Sequence, residues 1–327
     1  MKKLPGKIIR FFKALFLAGI FLVGIFGGWI IALFILIVIN IKTIYISLAG
    51  KIPLKVEKNK YEGPFSYTYE TIKNKKLKLD IYYPAKKGTP LPVILFTHGG
   101  GWITGSRRQA NDMSWCEYLA SQGFAVVSMD YRFGYVNFIE DILNDYDSAY
   151  KYIIRNANKL NLDTDRVILM GLSAGAHLSL YYGIYNSNKY KENFKNIKGI
   201  VSWYCPCDLL DLFDNDVESL FARFAIRTTM KGDPNKKREE YIDFSPINWV
   251  DEKNPPVFLV HGEKDTTVPF KSSVKMYKKL KDNNVNVKIR LHPNGNHGFE
   301  FELKDQFTIK IIQEVVYFIK NKFKKEG

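Results

Sequence analysis

The chain has 327 residues, of which 46% are hydrophobic and 25% charged, and it carries a net charge of +15. This composition excludes a disordered chain and leaves room for one large domain plus an appendage. Three cysteines, Cys116, Cys205 and Cys207, are too few for a disulfide framework, and no basic stripe interleaved with stacking aromatics marks a nucleic-acid partner.

Seven of the 48 basic residues and none of the 33 acidic ones lie within residues 1–51. The tail 1–13 is basic, and residues 14–39, from Ala14 to Ile39, contain no charged side chain. As a helix this run would extend about 39 Å, enough to cross a hydrocarbon core of about 30 Å with tilt. It is longer than a signal-peptide apolar region, and Ser47-Leu48-Ala49 lies well beyond it as a cleavage site. An uncleaved single-pass transmembrane helix is therefore expected. Lys2, Lys3, Lys7, Arg10 and Lys13 favour an amino terminus in the cytoplasm, with the large domain extracytoplasmic. Gly24 and Gly28 have the GxxxG spacing that can support helix pairing.

Residues 40–63 read as a linker, ended by Gly63-Pro64. A domain over 64–327 follows. Phe65–Thr71 and Leu77–Tyr83 alternate apolar and polar residues, as a half-exposed strand pair does. Pro92–Thr97, Phe124–Asp130, Arg166–Met170, Ile197–Trp203 and Val257–His261 are short apolar runs, the pattern of strands buried on both faces. Helical stretches separate them. The clearest is Ile139–Leu160, with Ile139, Ile142, Tyr146, Tyr150 and Ile153 near one face. Alternating strands and helices predict an α/β fold with a mostly parallel sheet. The long connection between Trp203 and Pro256 predicts a small cap insertion around 204–250. Cys205 and Cys207 flank Pro206 without a second cysteine or histidine pair at metal-ligand spacing, so buried thiols are expected there rather than zinc.

Four motifs carry chemistry. Gly171-Leu172-Ser173-Ala174-Gly175 lies between a strand and the helix-like Ala176–Tyr185. A serine at such a turn is held in a strained backbone conformation with its Oγ above the sheet. His98-Gly99-Gly100-Gly101-Trp102 follows the strand Pro92–Thr97. Its glycines let backbone N–H groups approach a developing oxyanion. Gly100, Gly101 and Ala174 are the expected donors, with Trp102 as a possible substitute for one glycine. Asp265, in His261-Gly262-Glu263-Lys264-Asp265, is the expected acid, with Glu263 as its rival. His297, in Asn296-His297-Gly298-Phe299 after the strand-like Val285–Leu291, is the expected base. Its rival His292 reads as a strand end, and His177 as a structural residue. The chain order Ser, Asp, His fits a hydrolase triad.

At these motifs the sequence resembles the α/β-hydrolase fold, specifically its esterase/lipase group of hormone-sensitive-lipase-like and feruloyl- or acetyl-esterase-like enzymes. The resemblance covers about residues 64–323. Ser128-Met129-Asp130-Tyr131-Arg132 is similar to the family's Asp-Tyr-Arg after the fourth strand. It and Ser245-Pro246 read as architectural. The chain departs from hormone-sensitive-lipase-like members in lacking a long helical amino-terminal cap.

The expected activity is serine hydrolysis of a small-molecule carboxylic ester through an acyl-enzyme, with no cofactor. Short acyl chains are favoured, because the cap looks small and no long apolar lid is evident. Three alternatives stay open. A prolyl-oligopeptidase-like peptidase would cleave Pro- or Ala-linked amides, and an arylformamidase-like amidase would prefer formamides. A membrane scaffold on an inactive hydrolase fold would leave Ser173 unlabelled by a fluorophosphonate.

Overall fold

The computed structural model describes residues 50–86, 88, 90–190, 195–215 and 217–324. The expected tail 1–13, span 14–39 and first part of the linker lie outside the described residues. Among the described residues, no helix is long and apolar enough to cross a membrane.

One eight-stranded sheet organises the chain. Its strands are β1 (Tyr61–Ile72), β2 (Lys75–Pro84), β3 (Leu91–Thr97), β4 (Ala125–Met129), β5 (Leu162–Leu172), β6 (Ile197–Trp203), β7 (Val257–Gly262) and β8 (Val287–His292). The order across the sheet is β1-β2-β4-β3-β5-β6-β7-β8. The β1–β2 and β2–β4 pairs are antiparallel, and every other pair is parallel. This is the mostly parallel sheet expected from the apolar runs.

The first strand opens at Tyr61, ahead of the expected Phe65, and runs through Gly63-Pro64. Proline lacks the N–H a central strand needs, but β1 is an edge strand. A register shift between Glu62 and Phe65 absorbs the irregularity. The described part of the linker is not free of the domain either. Ile52 is buried, and its N–H donates to Ser114 Oγ at 3.2 Å.

Eight helices are described: α1 (Ala110–Ser121), α2 (Ile139–Arg155), α3 (Ala174–Tyr190), α4 (Leu220–Met230), α5 (Arg238–Asp243), α6 (Lys271–Asp282), α7 (Phe299–Glu302) and α8 (Gln306–Lys322). In α2 the buried Ile139, Ile142, Tyr146, Ala149, Tyr150 and Ile153 form one stripe at helical spacing. Glu140 and Asp141 sit in its first turn, where the helix dipole favours acids. The Asp141 carboxylate also accepts the Phe138 N–H at 3.0 Å.

The central strands are buried on both faces. Val93 and Leu95 of β3 share an apolar cluster with Val127 of β4, Leu169 of β5, Leu259 of β7 and the inner faces of α2 and α3. On the other face Phe258 of β7 meets Phe318 of α8, ring centroids 5.5 Å apart. Each such large side chain contributes about 1.5–3 kcal/mol on burial. Cys116, Cys205 and Cys207 are all buried free thiols.

The connection between β6 and β7 holds two short 3-10 turns and helices α4 and α5. Ser219 caps α4, its Oγ accepting the Ala222 N–H at 3.2 Å. The helix ends at Lys231 in the left-handed conformation. Ala225, Ile226 and Met230 face inward, while Leu220 and Phe224 stay exposed.

Candidate active site

The strands β3 and β5–β8 are parallel, so their carboxyl ends lie along one edge of the sheet. Between β4 and β5 the chain order reverses around β3. Crevices form at such switch points, outside the carboxyl ends of the strands. The four sequence motifs follow the carboxyl ends of β3, β5, β7 and β8.

Ser173 follows β5 directly and has φ +52°, in the left-handed region that disfavours side chains. Packing holds it there. Its N–H donates to Trp203 O at 3.0 Å, and its carbonyl accepts the His177 N–H at 3.0 Å. The two motif glycines are required by close approach. A Cβ at Gly171 would collide with the Gly175 carbonyl, and one at Gly175 would collide with the Thr97 and His98 carbonyls. The turn after β5 is thus pressed against the end of β3.

His297 Nε2 lies 2.9 Å from Ser173 Oγ, and His297 Nδ1 lies 2.7 Å from Asp265 Oδ2. The structure therefore brings together the three residues read as nucleophile, base and acid. Asp265 is fully enclosed. Its Oδ1 accepts the N–H groups of Thr267 and Val268, both at 2.8 Å. Its Oδ2 also meets His261 Nε2 at 3.2 Å. Burial opposes ionisation of this carboxyl, but the charge and hydrogen bonds of His297 and His261 outweigh it. The carboxyl is held well below its usual range, so it is ionised at neutral pH.

The rivals lie elsewhere. Glu263 is exposed, and His292 ends β8 beside Thr308 and Asp305. His177 is buried, its Nε2 donating to Phe244 O at 2.8 Å, and burial lowers its pKa to about 4. It acts as a neutral tie between α3 and the insertion.

The glycine loop after β3 supplies the remaining wall. Gly100, Gly101 and Trp102 all have positive φ, +107°, +58° and +60°. The Gly100 carbonyl accepts the N–H groups of Ile103 and Thr104 at 3.2 and 3.0 Å, closing the turn. Among the described residues, the N–H groups of Gly100, Gly101 and Ala174 donate to no backbone carbonyl outside regular elements. Ala174 is the first residue of α3, where unpaired N–H groups and the helix dipole favour an anion.

The loop is braced from below. His98 stacks on Tyr131, ring centroids 4.3 Å apart, and Tyr131 Oη donates to the His98 and Gly99 carbonyls at 3.2 Å. Asp130 accepts the Arg107 N–H at 2.9 Å and pairs with its guanidinium. Arg132 pairs with buried Asp145 at 2.8 Å. The Asp-Tyr-Arg run is thus architectural, as its position after β4 suggested. Ser245 joins the insertion to itself, accepting the Leu209 N–H and donating to Tyr241 O.

Two neighbours of His297 carried no sequence signal. Tyr204, just past β6, lays its ring against the imidazole, centroids 4.6 Å apart. Its hydroxyl donates to Glu300 Oε1 at 2.6 Å.

Fold and site together define an α/β hydrolase. The chain matches BD-FAE over residues 79–280 and belongs to that family. Among curated relatives it is 26% identical to Esterase LipC of Mycobacterium tuberculosis over 218 residues, 64% of this chain and 54% of that one. It is also 26% identical to isoprenylcysteine alpha-carbonyl methylesterase ICME of Arabidopsis thaliana, over 60% of this chain and 48% of that one. The chain thus spans about half the length of these relatives. Two solved structures share the fold. A truncated carbohydrate esterase from gut microbiota superposes with a TM-score of 0.69 and 24% identity, covering 84% of this chain and all of that one. Esterase B from Lactobacillus rhamnosis gives 0.68 and 24%, covering 82% and 89%.

Proposed function

We propose that this protein is a serine carboxylic ester hydrolase working through Ser173, His297 and Asp265. The observation that carries the reading is the unbroken contact from Ser173 Oγ to His297 Nε2 and from His297 Nδ1 to an ionised, enclosed Asp265. The esterase names of the curated relatives support the same bond type.

In this mechanism His297 Nε2 takes the hydroxyl proton as Ser173 Oγ attacks the ester carbonyl carbon. Asp265 holds the Nδ1 proton and stabilises the imidazolium. The N–H groups of Gly100, Gly101 and Ala174 receive the oxyanion. Collapse breaks the bond to the alcohol, which leaves with the proton from His297. A water molecule, deprotonated by His297, then attacks the acyl-serine, releasing the acid and restoring Ser173. These steps need no cofactor.

The insertion favours a small acyl group. A Cβ built on Gly101 would stand 2.9 Å from Ala225 Cβ and 3.1 Å from Phe221 Cε1 of α4. Little room is left above the proposed donors, which supports acetyl or other short acyl esters. The test is hydrolysis of p-nitrophenyl esters from acetyl to palmitoyl by the full chain. Turnover should be greatest at two to four acyl carbons and fall about tenfold or more by eight, as overfilled pockets reject extra methylenes. A maximum at long chains would overturn the short-acyl reading.

Gly101→Ala should lower kcat/KM by about 10- to 100-fold, because an added methyl pushes the loop away from α4 and misaims a donor. Equal kcat/KM in the variant would remove Gly101 from the oxyanion site.

The apolar run 14–39 and its basic flank support attachment to a membrane, with the hydrolase domain on the outer side. Protease accessibility of the domain in intact cells tests that placement.

A further inference from the structure

Tyr204 and Glu300 are not used by the mechanism above, yet both are buried against it. Tyr204 has φ +38°, a conformation rare for a residue with a side chain. Its N–H is held by the Val260 carbonyl at 2.6 Å. That backbone turn presents its ring to His297 at 4.6 Å and its hydroxyl to Glu300 at 2.6 Å. Glu300 lies in α7, three residues beyond His297, and is fully buried. Its Oε2 has no hydrogen-bond partner among the described residues. A buried, half-satisfied carboxyl is costly, and a hydrophobic residue would tie down the loop at less expense.

Resting on the ester-hydrolase reading, we propose that Tyr204 and Glu300 are a positioning pair for His297, with Glu300 supplying a second negative charge that favours the imidazolium. Tyr204 packs against the imidazole at a tilt of 59° and limits its rotation. Glu300 acts through space and through Tyr204, without touching the reacting atoms. Asp265 orients the imidazole by a direct hydrogen bond; Glu300 adds only field.

The surroundings make that field dependent on pH. Burial raises Glu300 to about 7, opposed by the Tyr204 hydrogen bond and by the charge on His297. From α1, Asp112 faces the same region with both oxygens unpartnered, and burial pushes it well above the usual carboxyl range. Asp130 acts on Asp112 from farther off, and Asp265 acts on Tyr204. Trp115 of α1 faces Glu300, although its indole N–H makes no hydrogen bond of ordinary geometry. As the pH rises through about 7, Glu300 gains its charge and the imidazolium gains support.

The test compares full-length wild type, Glu300→Gln and Tyr204→Phe, with Ser173→Ala as the control on the underlying reading. The readout is the pH profile of kcat/KM on p-nitrophenyl acetate. Glu300→Gln preserves shape and an acceptor for Tyr204 while removing the charge. Its acid limb should move to lower pH by about a few tenths of a unit, since a nearby carboxylate stabilises a cation and Glu300 carries only part of its charge below about 7. Tyr204→Phe should move the limb the same way by a smaller amount, because Glu300 loses its hydrogen-bond donor and ionises less readily. A low-field proton resonance for the His297–Asp265 hydrogen bond reads the same event without turnover. Its step on ring protonation should fall at lower pH in Glu300→Gln. Acid limbs and proton steps that superimpose with wild type in both variants would overturn the proposal, leaving the pair as a structural tie. Wild-type turnover in Ser173→Ala would instead overturn the hydrolase reading, with the proton resonance still deciding the pair's role.

Discussion

Ser173→Ala is expected to lower kcat on any accepted ester by a factor on the order of 10⁶, the scale of nucleophile removal in a serine protease triad. The fold should be indifferent to the change. Alanine at φ +52° meets the same backbone strain as serine, and the bonds holding the turn are made by the main chain. Thermal melting of the two proteins should therefore coincide within a few degrees. Kinetics with p-nitrophenyl acetate and labelling by a fluorophosphonate check the outcome together. Retained turnover would mean that another group attacks the ester. Lost turnover with a lowered melting point would leave the loss open to a folding explanation.

Asp265→Asn should cost about 10⁴ in kcat, for a reason visible in the hydrogen bonds. Oδ1 is pinned by the N–H groups of Thr267 and Val268, so the amide oxygen of an asparagine must take that position. Its NH₂ group then faces His297 Nδ1, which is forced to accept. The ring proton moves to Nε2 and points at Ser173 Oγ, where an acceptor is needed. Stability should fall as well. The Asp265 carboxyl is held below its unfolded value near 3.8, so it stabilises the fold above that pH and loses its contribution only as the pH falls further. At neutral pH the asparagine variant forfeits the whole contribution, and its melting point should drop. At pH 3 the gap between the two proteins should narrow. Melting curves at both pH values separate this effect from the kinetic one.

The parts of the protein legible in the sequence were those governed by local rules. Strands β3 to β7 announced themselves as apolar runs, because a parallel strand covered on both faces has no polar side to interrupt it. The turn at Ser173 was legible because glycines at 171 and 175 are required by backbone contacts that any such turn makes. Asp265 and His297 were read as acid and base with Glu263 and His292 as rivals, and it is the contacts to Ser173 and between the two that separate them, which no local pattern gives. The start of β1 was misjudged: Gly63-Pro64 has the look of a boundary, but an edge strand with a bulge can carry both. Tyr204 and Glu300 had no signal at all. Their pairing spans 96 residues and depends on one tyrosine adopting φ +38°. The fold of 204–250 was equally hidden, since polar stretches such as Lys231–Glu240 specify where a chain is solvated rather than what it covers.

The contact between Gly175 and the carbonyls of Thr97 and His98 divides the molecule into parts with different freedom to vary. It welds the turn at Ser173 to the glycine loop, so a shift in one drags the other. Selectivity cannot readily be retuned from that side without blunting the chemistry. The segment between β6 and β7 is different. Leu220 and Phe224 are exposed, and it leans on the glycine loop through the side chains of Phe221 and Ala225. On the proposed ester-hydrolase reading, exchanging that segment should alter substrate choice while leaving Ser173, His297 and Asp265 in register.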